Sequence, residues 1–88
     1  MKYNNRQQEF LSKLGANIKK HRTAKKLSFR ALSQRCDIDF ADLNRIEKGV
    51  RNITVITAVE LCRGLGIQPK ELFDFDLTEE AEEEKTEV

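Results

Sequence analysis

The 88-residue chain is long enough for one small domain, and its 39% hydrophobic and 35% charged residues are typical of a soluble protein with a modest core. No apolar run approaches the roughly 18 residues of a membrane span, and the polar N-terminus has no signal-peptide core, so we expect a cytoplasmic protein. The formal net charge of only +1, taken alone, argues against a nucleic-acid binder.

The first predicted helix runs from residue 5 to residue 24 or 25. Apolar residues recur along it at helical spacing and predict one buried face. That face consists of Phe10, Leu11, Leu14 and Ile18. Gly15 costs this helix about 1 kcal/mol relative to Ala, so we expect a neighbouring element to pack closely there.

Residues 28–49 predict two short helices joined by a tight turn. Ser28 and Asp39 each offer a side-chain oxygen to the free N–H groups at a helix start, which marks them as N-caps. The inward positions are Leu32, Cys36, Ile38, Leu43 and Ile46. Two helices of about two turns, joined so closely, are typical of a helix-turn-helix, which inserts its second helix into the major groove of DNA.

Two more helices are predicted after Gly49, which suits a left-handed C-terminal cap. The first spans residues 55 to about 64, with Thr54 as its cap. Its predicted inward residues are Val55, Ala58, Val59, Cys62 and Leu65. Pro69 then starts a short helix over residues 70–73, in which Leu72 and Phe73 are expected to close the core. The sequence therefore predicts an all-α fold of five helices.

Both cysteines are expected to be buried free thiols. Cys36 and Cys62 lie on apolar stripes, with no CxxC motif and only one His in the chain, so the spacing of a metal site is missing. The chain also has no nucleophile motif and no phosphate-binding loop, which argues against an enzyme. We expect no metal and no cofactor.

Four apolar residues do not fit the predicted inward stripes. They are Ile53, Ile56, Phe75 and Leu77. A shared patch near the C-terminal helices would bury them in a symmetric homodimer. The alternative is that they are scattered exposed residues, which are normal in soluble proteins.

The charges divide at residue 77. Residues 1–77 carry 15 Lys and Arg against 9 Asp and Glu, a net charge of +6, whereas residues 78–88 carry six Glu and one Lys. We expect a single domain of residues 1–77 followed by an acidic tail, residues 78–88, that is disordered or a frayed helix. The basic domain is compatible with a polyanionic partner, and also with ordinary solvated charge.

Four stretches of the sequence resemble the Cro/C1-type helix-turn-helix family, also called the xenobiotic-response-element family. They are LGANIKKHR, LSFRALSQRCDI, LNRIEKGVRN and ELCRGLGIQPKELF, and the resemblance spans about residues 11–73. The RIEKG run with RN shortly after it is the most specific part. The resemblance implies a lambda-repressor-like DNA-binding domain, and the overall pattern is similar to that of stand-alone regulators such as restriction-modification controller proteins.

The resemblance also implies an ion pair between Arg22, late in the first helix, and Glu47, before the exit glycine. Such a pair can be bidentate and would brace the recognition helix, whereas the alternative is a solvated Glu47. The sequence departs from the family at Phe29, where a Gln is common, and at Asp37, which replaces the usual turn glycine. Asp37 is expected to adopt the left-handed conformation at some cost.

The predicted recognition helix spans residues 40–48. Its outward face presents Phe40, Ala41, Asn44 and Arg45. Arg45 is expected to donate two hydrogen bonds to guanine O6 and N7, and Asn44 to pair with adenine or a phosphate. Phe40 and Ala41 are expected to touch thymine methyl groups. Asp42 either accepts a hydrogen bond from cytosine N4 or weakens binding.

Phosphate contacts are expected from residues that flank this helix. They are Lys26, Ser28, Phe29, Arg30, Lys48, Arg51 and Asn52. Ser28 and Phe29 would use backbone N–H groups at a helix start, and the others would use side chains. Any one of these residues alone would be an ordinary surface group, so only the cluster supports the prediction.

The sequence therefore favours a sequence-specific DNA-binding transcriptional regulator that acts as a homodimer on a two-fold-related operator. It predicts double-stranded DNA as the partner, with no membrane and no small-molecule ligand. The alternative is a protein-interaction module with the same fold, such as an antitoxin-like or adaptor domain. Asp39, Asp42 and the acidic tail support that alternative weakly.

Overall fold

The computed structural model describes residues 3–78 as five helices. In chain order they are α1 (Asn5–Ala24), α2 (Phe29–Arg35), α3 (Phe40–Glu47), α4 (Val55–Leu65) and α5 (Pro69–Leu72). This part of the chain contains no strand, and the predicted all-α, five-helix fold is confirmed. Within residues 3–78, no helix is long and apolar enough to cross a membrane. Residues 79–88 of the predicted acidic tail lie outside the described residues.

Side-chain caps begin the first four helices. The caps are Asn4, Ser28, Asp39 and Thr54, each accepting a hydrogen bond from a backbone N–H in the first turn. The last three are the residues that the sequence predicts for this role, because short polar side chains satisfy N–H groups that have no partner within the helix. Gly49 follows α3 with φ +77°, which confirms the predicted left-handed cap.

Gly15 marks the point where α1 crosses the end of α3. A Cβ atom at this position would lie 2.5 Å from the carbonyl oxygen of Ile46 and closer still to that of Glu47. Backbone atoms cannot move aside as a flexible side chain can, so only glycine permits this approach. The predicted close packing at Gly15 is thereby confirmed, and it fixes the distance between the longest helix and α3.

The core consists of one stripe from each helix. Its buried members are Leu14, Ile18, Leu32, Cys36, Leu43, Ile46, Leu61, Cys62, Leu65 and Leu72. Phe10 and Ile38 pack against this core while remaining partly exposed. The predicted inward positions of α2 and α3 are therefore correct, with Ile38 only partly buried.

The predicted inward face of α4 is partly wrong. Val55 is 80% exposed and Val59 51% exposed, whereas Leu61, which was not predicted to face inward, is fully buried. The segment VITAVELCRGL is apolar around most of its circumference, so helical spacing fits more than one stripe. Phe73 is also 41% exposed, at the rim of the core, and Leu72 alone closes the core from α5.

The turn between α2 and α3 does not use a left-handed residue. Among the described residues, Lys26 is the one non-glycine residue with positive φ, at 58°, and the expectation for Asp37 is wrong. The Asp37 backbone N–H donates instead to the Glu60 carboxylate on α4, at 3.1 Å. Arg63 also donates to that carboxylate, and both contacts lower the pKa of Glu60, the Arg63 hydrogen bond more strongly. A side chain from another helix therefore supports the turn.

The segment after α5 returns along α1. The Phe75 ring meets the Phe10 ring edge-on with their centroids 5.2 Å apart. The Thr78 backbone N–H and hydroxyl both donate to the Glu9 carboxylate, at 2.9 and 3.1 Å. Asn17, buried on α1, donates to the carbonyl oxygens that end α5. These contacts bind the C-terminal end of the described chain to the first helix.

Cys36 and Cys62 are both free and buried, as predicted. Burial is the main reason that the pKa of each thiol is raised. No group of three or more His, Cys, Asp or Glu side chains within residues 3–78 is arranged to hold a metal ion.

Candidate DNA-binding site

The outward face of α3 is the centre of the candidate site. Leu43 and Ile46 are buried, which turns the opposite side of this amphipathic helix toward solvent. Phe40 is 43% exposed and the Arg45 side chain 55% exposed, while Ala41 and Asn44 are partly buried. All four residues predicted to read bases therefore lie on the side of α3 away from the core. The helix ends at Glu47, with Lys48 as its C-cap.

An arginine braces α3 from behind. The Arg22 Nε and Nη2 atoms donate to the two carboxylate oxygens of Glu47, at 2.5 and 3.1 Å. Nη1 of the same side chain donates to the Leu27 carbonyl oxygen at 2.6 Å. Only 11% of the Arg22 side chain and 5% of the Glu47 side chain are exposed. The ion pair is therefore bidentate and mostly buried, and a solvated Glu47 is excluded.

Phe29 extends this brace to α2. The Arg22 guanidinium carbon lies 4.2 Å from the centre of the Phe29 ring. A planar guanidinium stacks favourably on an aromatic face, so one arginine joins α1, α2 and α3. Phe29 was predicted to use its backbone N–H for a phosphate and was noted as a departure from the family's Gln, but its contact with Arg22 was not predicted. The available signal was an aromatic residue at the start of α2, seven residues after an arginine expected to form an ion pair.

A second stacked pair links α2 to α3 on the outward face. The Arg30 guanidinium carbon lies 4.9 Å from the centre of the Phe40 ring. These two residues were predicted separately, Arg30 for phosphate and Phe40 for a thymine methyl group. Their contact places both predicted functions at one edge of the recognition helix.

Asp42 connects two of the predicted DNA contacts. One of its carboxylate oxygens accepts from Arg45 Nη1 at 3.0 Å and from Arg51 Nη2 at 2.9 Å. Arg45 lies on the next turn of α3, and Arg51 lies in the loop that follows the helix. All three side chains are substantially exposed, Asp42 to 38%. The sequence marks Asp42 as an acidic residue beside the reading face, but this shared contact was not predicted.

The residues predicted to contact phosphates precede or follow α3 in the chain, and most of them are exposed to solvent. The exposed ones are Lys26, Ser28, Arg30, Lys48, Arg51 and Asn52. Phe29 is partly buried beneath Arg22 and has only its backbone N–H to offer. The Ser28 hydroxyl oxygen is already the cap of α2, accepting from the Ala31 N–H at 3.0 Å.

The predicted dimer residues fall into two groups. Ile56 is 69% and Leu77 40% exposed, which leaves them available to a partner. Ile53 and Phe75 pack against the protein's own core, so the premise that these two have no place in the fold is wrong. The exposed apolar surface also includes Val55, Val59 and Phe73.

Comparison with known families assigns the fold. A helix-turn-helix family model, HTH_3, matches residues 18–72, which include α2, α3 and the Arg22 brace. The chain belongs to this helix-turn-helix family. The Cro/C1-type resemblance inferred from the sequence motifs is thus confirmed.

Several relatives of this helix-turn-helix protein are restriction-modification controllers. The control protein C.BamHI from Bacillus amyloliquefaciens is 31% identical over 72 residues, which cover 81% of this chain and 89% of the relative. The crystal structure of the controller C.AhdI from Aeromonas hydrophila is 35% identical, covers 72% of this chain and 96% of its own, and gives a TM-score of 0.70.

A further relative was solved with DNA. The controller C.Esp1396I, a tetramer in complex with its natural 35-base-pair operator, is 28% identical and gives a TM-score of 0.69. The match covers 74% of this chain and 86% of that one. These comparisons relate this helix-turn-helix protein to controllers that are as small as itself.

Proposed function

We propose that the protein is a DNA-binding transcriptional regulator that acts as a homodimer on a two-fold-related operator. The observation that carries this proposal is an exposed α3 face with Arg45 at its centre, on a helix held from behind by the buried Arg22–Glu47 pair. A rigid scaffold and an exposed polar face are what a major-groove recognition helix requires. The operator complex of the related controller C.Esp1396I supports the same use of this fold.

The reading roles follow from donor and acceptor chemistry. Arg45 matches guanine O6 and N7, which accept two parallel hydrogen bonds, and Asn44 matches adenine or a backbone phosphate. Phe40 and Ala41 offer apolar contact to thymine methyl groups. Arg51 and Lys48, beyond the end of α3, supply phosphate contacts that set the register of the helix without reading bases.

Exposed apolar residues of α4 and of the segment after α5 provide the dimer contact. Ile56 and Leu77 contribute to it as the sequence predicts, and Val55 and Val59 enlarge it. A two-fold interface would place two copies of α3 about 34–36 Å apart, one turn of DNA, so that each enters a successive major groove. A domain of this size gains stability from such a contact, because its own core is small.

This function needs no catalytic group, metal, cofactor or small-molecule ligand, and we infer that the protein is not an enzyme. Its family and relatives are regulators, which supports that inference. We also infer that the protein acts in the cytoplasm, where its DNA target lies.

In vitro selection of bound duplexes from a randomised pool tests the proposal. We expect enrichment of a two-fold-symmetric site, and Arg45→Ala should lose the preference at one base pair per half-site, worth about 1–3 kcal/mol. Lys70→Ala on α5 is the control, since it removes an exposed positive charge outside the reading face. No binding to any duplex at low salt would contradict the proposal and favour the protein-interaction module.

A further inference from the structure

One carboxylate oxygen on the candidate reading face is shared by two arginines. Asp42 Oδ1 accepts from Arg45 Nη1 at 3.0 Å and from Arg51 Nη2 at 2.9 Å. Nε and Nη2 of Arg45 have no hydrogen-bond acceptor anywhere in residues 3–78. The guanidinium is thus tethered through one nitrogen of a side chain that is 55% exposed, which leaves its other donors available.

We propose that Asp42 is a specificity-determining residue that positions Arg45 for base reading. This inference rests on the proposed function. An arginine has many rotamers, and DNA binding must restrict them. Asp42 restricts them before binding, because it lies one turn earlier on α3 and bonds to the end of the guanidinium. Arg45 therefore loses less side-chain conformational entropy when it forms its two parallel hydrogen bonds to guanine. A weaker contact with another base needs a different arrangement of the guanidinium, so the restricted rotamer favours it less.

The pairing of Asp42 with Arg51 affects binding to DNA of every sequence. Arg51 is paired with Asp42 in the free protein, so a phosphate must displace the carboxylate before Arg51 can contact DNA. The negative charge of Asp42 also lies on the face that approaches the phosphates, where it opposes binding. A guanine that accepts from Arg45 offsets this cost, and other bases do not. Asp42 therefore lowers affinity for a random duplex and leaves affinity for the operator almost unchanged.

Asp42→Asn removes the charge with little change in side-chain size, and its neutral amide oxygen accepts from a guanidinium more weakly than a carboxylate does. The dissociation constant is measured by fluorescence anisotropy on two probes, an operator duplex selected in vitro by the wild-type protein and a random duplex, over a series of salt concentrations. We expect the variant to bind the random duplex about two- to fivefold more tightly, and its ratio of operator to random affinity to fall by about the same factor. These sizes correspond to loss of exposed charge interactions.

A double substitution distinguishes positioning of Arg45 from a general charge effect. In an Arg45→Ala background, Asp42→Asn should still raise affinity for the random duplex but should leave the ratio of operator to random affinity unchanged, because no arginine remains to be positioned. Asp42→Glu retains the charge and the reach to the next turn, and should preserve at least half of the discrimination.

Glu60→Gln is the matched control. Glu60 also pairs with an arginine three residues later, Arg63 at 2.7 Å, and the variant removes the same charge from α4, outside the reading face. Its amide oxygen can still accept from the Asp37 N–H. We expect its ratio of operator to random affinity to equal that of the wild type.

Two results would overturn the inference, and they are distinguishable from failure of the proposed function. If the wild type selects an operator but Asp42→Asn keeps the wild-type affinity ratio, Asp42 does not determine specificity. The same conclusion follows if Asp42→Asn lowers the ratio equally with and without Arg45. If the wild type binds no duplex, the proposed function itself fails, and this inference with it.

Discussion

Replacement of Arg22 by alanine is expected to lower the free energy of unfolding by about 3–5 kcal/mol, the cost of leaving one member of a buried ion pair without its partner. The Glu47 carboxylate, 5% exposed, would lose both of the hydrogen bonds that it accepts from Arg22. The Leu27 carbonyl would lose a donor, and Phe29 the cation above its ring. A domain of this length has about 4–13 kcal/mol of stability, so the loss is a large share.

Urea unfolding followed by circular dichroism measures this loss. Arg63→Ala is the matched control, since it removes an arginine from an exposed ion pair with Glu60 and should leave the unfolding midpoint almost unchanged. Arg22→Met combined with Glu47→Leu should recover most of the stability, because an apolar pair of similar volume leaves no buried charge. A loss below about 1 kcal/mol for Arg22→Ala would refute the view that this pair braces α3.

Three other outcomes test the packing. Gly15→Ala should cost about 1–3 kcal/mol and lower the melting temperature, despite the better helix propensity of alanine, because its Cβ would lie 2.5 Å from the Ile46 carbonyl; an unchanged melting temperature would contradict the close crossing. Ile56→Asp should produce monomers in sedimentation experiments at concentrations where the wild type is dimeric, without destabilising the protomer, since Ile56 is 69% exposed; persistence of the dimer would place the interface elsewhere. Cys36 should resist alkylation in the native protein at neutral and mildly alkaline pH, because burial raises the pKa of its thiol and holds it neutral there, and should react once urea unfolds the chain; rapid native modification would contradict its burial.

The sequence predicts the ends of the helices well, because these depend on the chemistry of a few neighbouring residues. The N-caps Ser28, Asp39 and Thr54 and the left-handed Gly49 are each recognised from one residue and its neighbours, because the unpaired groups at a helix end are satisfied within a few positions. These capping residues predict where the helices begin and end. Family resemblance added the Arg22–Glu47 pair, which local spacing alone does not indicate.

The features that the sequence did not predict depend on contacts between helices. Val55 and Leu61 lie on different sides of an almost uniformly apolar helix, and only the position of α2 and α5 decides which side is buried. Asp37 does not adopt the left-handed conformation, and its N–H donates to Glu60, 23 residues later. Phe29 meets Arg22 because the chain turns back between the end of α1 and the start of α2. Each of these features depends on how two helices are placed relative to each other, which the pattern within one helix does not specify.

Two carboxylates of α3 differ in burial and therefore in role: one holds the helix in place, and the other lies on the face proposed to read DNA. Glu47 and Asp42 lie on the same helix and each pairs with arginine, but Glu47 is 5% exposed and Asp42 38% exposed. Removing Arg22 from Glu47 would leave a buried charge, so that pair persists whether or not DNA is present. Arg51 can leave Asp42 for a phosphate at little cost, because water solvates the exposed carboxylate, and Arg45 can keep its bond to Asp42 while its other donors meet a base. The same ionic chemistry thus fixes the inner side of the recognition helix and keeps its outer side exchangeable.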